Sequence, residues 1–82
     1  MALKKAKTAS LKGIVVPADW NEDHEVIAAA LATDDEKEYR ISGNRKGKEL
    51  LGYLQRLVEV TGPLSENENG GMVITIRSYI VK

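Results

Sequence analysis

The chain contains no cysteine and no phenylalanine, only two prolines, and only four aromatic residues: Trp20, Tyr39, Tyr53 and Tyr79. Without cysteine there is no disulfide framework, no thiolate metal site and no thiol nucleophile. That absence suits a reducing compartment, and a cytoplasmic location is the expectation. No apolar run approaches the roughly twenty residues that a membrane helix needs. The first residues carry lysines but no apolar stretch ahead of Lys12, so no secretory leader is expected. Neither charge is in excess: twelve Lys and Arg balance twelve Asp and Glu. A dedicated binder of the phosphate backbone usually carries a basic surplus. Eighty-two residues make one domain with a small core.

What is present is β-branched and alternating. Val58 and Val60 alternate with Glu59 and Thr61, and Ile74 and Ile76 with Thr75 and Arg77, the period of half-buried strands. Ser65–Gly71 between them is polar and predicts a long exposed loop joining a hairpin of Leu57–Leu64 and Met72–Val81, in which Tyr79 breaks the parity of Ile74 and Ile76 and predicts a bulge near Ser78 that turns it inward. Upstream, Met1–Ser10 is small and basic and is expected to form a flexible arm before a domain spanning residues 11–82. Leu11–Val16 reads as a strand, with Gly13 marking a bulge or a close backbone approach. Pro17 cannot donate to a ladder, so the pairing should stop or step there. Ala18–Glu25 has a loop composition.

Val26–Thr33 admits two readings. Its alanines favour a helix that Asn21 or Asp23 would cap. Val26, Ile27 and Thr33 favour a strand, as does the turn Thr33–Lys37 that leads into the alternating segment Glu38–Ser42, and strand is the preferred reading. Leu50, Leu51 and Leu54 then fall at helical spacing within Gly47–Gln55 and predict one short helix with an apolar side.

The resulting order is three strands, a short helix and two strands. With Leu31-Ala32-Thr33-Asp34-Asp35 leading to Glu38-Tyr39-Arg40-Ile41, and Val58-Glu59-Val60-Thr61-Gly62 leading to Ile74-Thr75-Ile76, the chain resembles small bacterial OB-fold proteins of the tRNA-anticodon-binding type. The resemblance covers Leu11 to Val81. It implies a mainly β domain, a five-stranded Greek-key barrel with a short helix between strands three and four. It also implies a binding face on strands two and three, here Val26–Thr33 and Glu38–Ser42, flanked by the loops Ala18–Glu25 and Ser65–Gly71. The chain departs from nucleic-acid-binding members in its neutral charge and few aromatics.

No enzyme chemistry assembles. Asp19, Asn21 and Asp23 have the opening spacing of a calcium loop, but His24 stands where that loop needs glycine and Ala30 where it needs glutamate. A solvated acidic loop is the simpler account, and neither metal nor cofactor is expected. His24, the sole histidine, has neither an adjacent nucleophile nor a second nitrogen ligand. Ser42–Lys48 holds two glycines and three cations but lacks the spacing of a phosphate-binding loop. Single-stranded nucleic acid is commonly held by stacking rings over a basic groove. The candidate ligand-binding residues are therefore Trp20, Tyr39, Arg40, Arg45, Lys46 and Arg77. Tyr39 shares the face of Ile41 and reads equally as core. The leading expectation is a non-enzymatic OB-fold module binding single-stranded nucleic acid. The alternative is a protein-interaction or assembly domain, in which Ala28, Ala30 and Ala32 offer a smooth face to a protein partner.

Overall fold

The computed structural model describes residues 7–82, apart from the Lys7 side chain. Strands β1 (Lys7–Trp20), β2 (Val26–Thr33) and β3 (Glu38–Ile41) form an antiparallel meander. A short helix α1 (Arg45–Glu49) runs directly into a 3-10 turn at Leu50–Tyr53. Strands β4 (Leu57–Glu66), β5 (Met72–Ile74) and β6 (Ser78–Val81) complete the chain. The sheet order is β1-β2-β3-β5-β4-β6, and β1 also pairs with β4, which closes a ring of five strands. The pairing of β3 with β5 is parallel and the others are antiparallel.

β1 makes the closure possible. Its first half pairs with β4, from Lys7↔Leu64 to Ile14↔Leu57, and its second half pairs with β2, from Gly13↔Thr33 to Trp20↔Val26. The strand changes partner at Gly13. A Cβ there would lie 2.4 Å from the Ala32 carbonyl oxygen, so the close approach expected from the sequence is present. Residues 7–10 belong to this strand rather than to a free arm, because each finds a partner on β4; residues 1–6 of the expected arm lie outside the described residues. Pro17 sits opposite Ala29, and the pairing steps directly after it, with register shifts between Pro17 and Trp20.

The last segment carries the bulge expected near Ser78, with Tyr79 packed against the core beyond it. It is not one strand but two laid end to end along β4. Leu64↔Ile74 and Thr61↔Ser78 differ in register by one residue, the mark of a bulge. Through the break, Thr75 N–H donates to the Pro63 carbonyl (3.0 Å) and Arg77 N–H to that of Thr61 (2.8 Å). Gly62 is the cause: a Cβ there would lie 1.7 Å from the Thr75 carbonyl oxygen, and only hydrogen lets the bulge settle against β4.

The core lies inside the ring: Val15, Leu31, Ile41, Val58, Val60, Ile74 and Ile76 from the strands, with Leu50 inserted from the helical connection, all within 5% of complete burial. Leu51, Tyr53 and Leu54 pack against it from the same side. No buried side-chain polar atom lacks a partner among the described residues.

Three of the connections share one geometry. In Asn21–Glu25, Thr33–Lys37 and Asn67–Gly71, the first N–H donates to the fifth carbonyl (3.0, 2.9 and 2.8 Å). The fourth N–H donates back to the first carbonyl (3.1, 3.1 and 3.0 Å). The fourth residue is left-handed: His24 at φ 64°, Glu36 at 66° and Gly70 at 82°. A polar side chain at the first position seals each turn. Asn21 Oδ1 accepts from the N–H of Asp23 and Glu25 (2.9 and 3.0 Å), and Asn67 Oδ1 from Asn69 and Gly71 (3.0 and 2.9 Å). The Thr33 hydroxyl lies within reach of the Lys37 carbonyl (3.2 Å) and of the Asp35 carboxylate. The expected long loop at Ser65–Gly71 is thus a five-residue turn, with β4 extended to Glu66.

Candidate functional site

The site lies where the meander meets the helix. β3 alternates: Tyr39 and Ile41 face the core, and Arg40 faces out, opposite Ala30 on one neighbour and Val73 on the other. Ser42 ends the strand by donating its N–H to the Ile74 carbonyl (2.9 Å). Asn44 then starts α1. Its Oδ1 accepts from the Gly47 N–H (2.9 Å) as a helix N-cap, and its Nδ2 donates to the Ile76 carbonyl (3.0 Å). One amide therefore caps the helix and ties it to the bulge between β5 and β6. A second tie is the Tyr79 hydroxyl, which donates to Glu49 Oε1 (2.8 Å) while its ring tilts against Tyr53. The hydroxyl's pKa is raised, first because the proton is held by the Glu49 carboxylate, then by desolvation and the carboxylate's charge.

Seated this way, α1 and the 3-10 turn leave a cleft of about 170 Å³ against the ends of β2 and β3. Ile27, Ala28 and Leu51 supply apolar surface; Arg40 and Lys48 supply charge; Ser42 supplies a hydroxyl. Ile27 is 52% exposed although its parity is that of buried Ala29 and Leu31, because β2 runs past the end of the ring there. The side chains of Arg40 and Lys48 form no ion pair among the described residues. Two unpaired cations beside an apolar floor suit a ligand with an anionic end and a flat or apolar body.

The six candidates of the sequence are not gathered into one place. Arg40 lines the cleft. Arg45 and Lys46 are exposed on the first turn of α1, outside the cleft lining, with Arg45 directly after the Asn44 tie. Arg77 is exposed at the bulge, one residue beyond the carbonyl to which Asn44 bonds. Trp20 is 50% exposed at the far end of β1, opposite Val26. Tyr39 is half-buried and packs against the core from the inward face of β3. Lys48, Ile27 and Leu51 complete the cleft and were not singled out as site residues. Lys48 is three residues before Leu51, and that helical spacing signals that both return to one side.

His24 is exposed in its turn, and the Asn21 side-chain oxygen beside it is committed to backbone N–H groups. No group of three or more potential metal ligands occurs among the described residues. No described helix is long and apolar enough to cross a membrane. No protein-family model matches the chain, and neither the curated proteins nor the solved structures include a significant match.

Proposed function

We propose that this protein is a non-enzymatic OB-fold module that binds single-stranded nucleic acid in the cleft where the ends of β2 and β3 meet α1. The observation that carries the reading is the cleft in which Arg40 and Lys48 stand unpaired beside Ile27, Ala28 and Leu51. A phosphate between the two cations, with a base or sugar resting on the apolar floor, uses both halves of that surface. The ring order β1-β2-β3-β5-β4, with the helix between β3 and β4, supports the OB-fold assignment. In that fold the β2–β3 face is the customary binding face. Arg45 and Lys46 extend the positive surface along α1. Zero net charge and an inward Tyr39 imply modest affinity and a short footprint.

The test is an NMR titration of labelled protein with a short mixed-sequence single-stranded oligonucleotide at low and at moderate salt. The expected result is a set of salt-sensitive shifts at Ile27–Ala29, Arg40–Gly43 and Lys48–Leu51. Removing Lys48 (Lys48→Ala) should weaken binding evenly across sequences and reduce the salt slope by about one. Spectra that stay flat at millimolar oligonucleotide overturn the reading.

A further inference from the structure

Among the described residues, β1 and β6, which flank β4, each keep an unpaired edge. One is the first half of β1, whose outward residues Thr8, Ser10 and Lys12 are exposed and polar. The other is β6, which pairs with β4 on one side and with no described strand on its other side. The two edges differ in chemistry. Ile80, at the centre of β6, is 60% exposed, the most exposed large apolar residue among those described. Leu57, 39% exposed, lies on the same outward face of the neighbouring strand.

The hydrogen-bond phase of β6 follows from one contact. Lys82 N–H donates to the Leu57 carbonyl (2.9 Å), and antiparallel partners alternate between bonded and non-bonded pairs. Ser78, Ile80 and Lys82 therefore turn their backbone groups toward β4. Tyr79 and Val81 turn theirs to the open edge.

We infer that β6 is a self-pairing edge: two copies of this chain join antiparallel through β6, with Ile80 facing Ile80 across the two-fold axis. The phase permits this register. Tyr79 of each copy then exchanges backbone bonds with Val81 of the other, which satisfies all four free groups on each edge. The central Ile80 pair is a non-bonded pair, the arrangement that brings side chains closest. Charge does not oppose it. On the outward face Lys82 falls beside Ser78 of the second copy, and Lys82 is already paired with its own Glu59 (3.2 Å). A chain of zero net charge adds no long-range repulsion. The seam is only four residues long, far below the ~1,000 Å² of a lasting interface, so the dimer is a weak one that fills at high micromolar to millimolar concentration. The inference is independent of nucleic-acid binding, since β6 lies outside the cleft.

The experiment is sedimentation equilibrium of the full chain from 20 µM to about 2 mM, with Ile80→Lys and Ile80→Glu variants measured alone and as an equimolar mixture. Ile80 is outward-facing, and folding of both variants is checked by their amide spectra. The expected result is concentration-dependent dimerisation of the parent and at least tenfold weaker association of each variant alone. Association should return in the mixture, where Lys meets Glu across the axis. Concentration-dependent amide shifts of the parent should centre on Tyr79–Val81. A parent that stays monomeric throughout overturns the inference. So does a dimer that both single variants leave unchanged, or a mixture no more associated than its components.

Discussion

At the scale of single residues, the three shared turns are where the sequence pays most visibly for its shape. A left-handed backbone costs an L-residue with a Cβ roughly 1–2 kcal/mol. Gly70 avoids that cost, whereas His24 and Glu36 bear it. His24→Gly and Glu36→Gly should each stabilise the fold by about 0.5–1 kcal/mol, after the greater freedom of glycine in the unfolded chain is set against the relief. Urea unfolding of the two variants checks this, and no gain at either position would mean that the turn is already relaxed. The position of His24 is likewise set by its turn. Tyr79 supports a second prediction. Its folded pKa is raised above the ordinary tyrosine value of 10.0, chiefly by the bond to Glu49. The contribution of that bond is therefore fully present below pH 10 and is lost as pH rises through the raised folded pKa. Thermal unfolding followed from pH 8 to 12 should show a decline in that alkaline window that is smaller in Tyr79→Phe.

Among the elements, legibility follows period and fails at irregularity. The strand reading of Val26–Thr33 holds although five of its eight residues are good helix formers in isolation, four Ala and one Leu. Pairing with β1 and β3 decides the outcome, since tertiary context overrides propensity. The short helix was visible in Leu50, Leu51 and Leu54. Its true start lies earlier, at Arg45, and its end tightens to 3-10. That start is set by Asn44, whose tie to the Ile76 carbonyl is a contact between distant segments that no local window reveals. The division of the last strand was signalled by Tyr79, which breaks the parity of Ile74 and Ile76, but its cause was not, because Gly62 lies on the neighbouring strand. Two glycine substitutions separate close approach from mere flexibility. Gly62→Ala should cost about 3 kcal/mol or more, at the top of the overpacking range, because the obstructing atom is backbone. Gly52→Ala, with nothing within 4 Å of the added Cβ, should stabilise by about 0.5 kcal/mol. Equal effects at the two sites, measured by chemical denaturation, would contradict the assigned role of Gly62.

Over the whole molecule, Leu50 is the side chain of the helical segment set most deeply in the ring. Leu50 is fully buried among residues of β1 to β5. In a domain this small, Leu50→Ala should cost about 2–5 kcal/mol, enough to unfold much of the population if total stability is near the low end for its size. The measured unfolding should remain a single transition by circular dichroism and by Trp20 fluorescence, because no subset of strands retains a core of its own. The candidate site was only partly legible at this scale. Arg40 could be assigned to the outer face from the alternation of Tyr39, Arg40 and Ile41. Lys48 and Ile27 could not be joined to it, since their meeting depends on how far β2 overruns the ring and on where Asn44 seats the helix.

The double pairing of β1 also has a consequence for how the protein is made. Of the described strands, the first to be synthesised cannot complete its pairing until the fourth has emerged. While the chain emerges from a ribosome, the second half of β1 can pair with β2 as soon as the turn at Asn21–Glu25 forms. The first half has to wait for β4, which follows two further strands and the helix. During that interval Leu11, Val15, Leu31 and Ile41 form an uncovered apolar sheet, a surface on which a nascent-chain chaperone would have time to act.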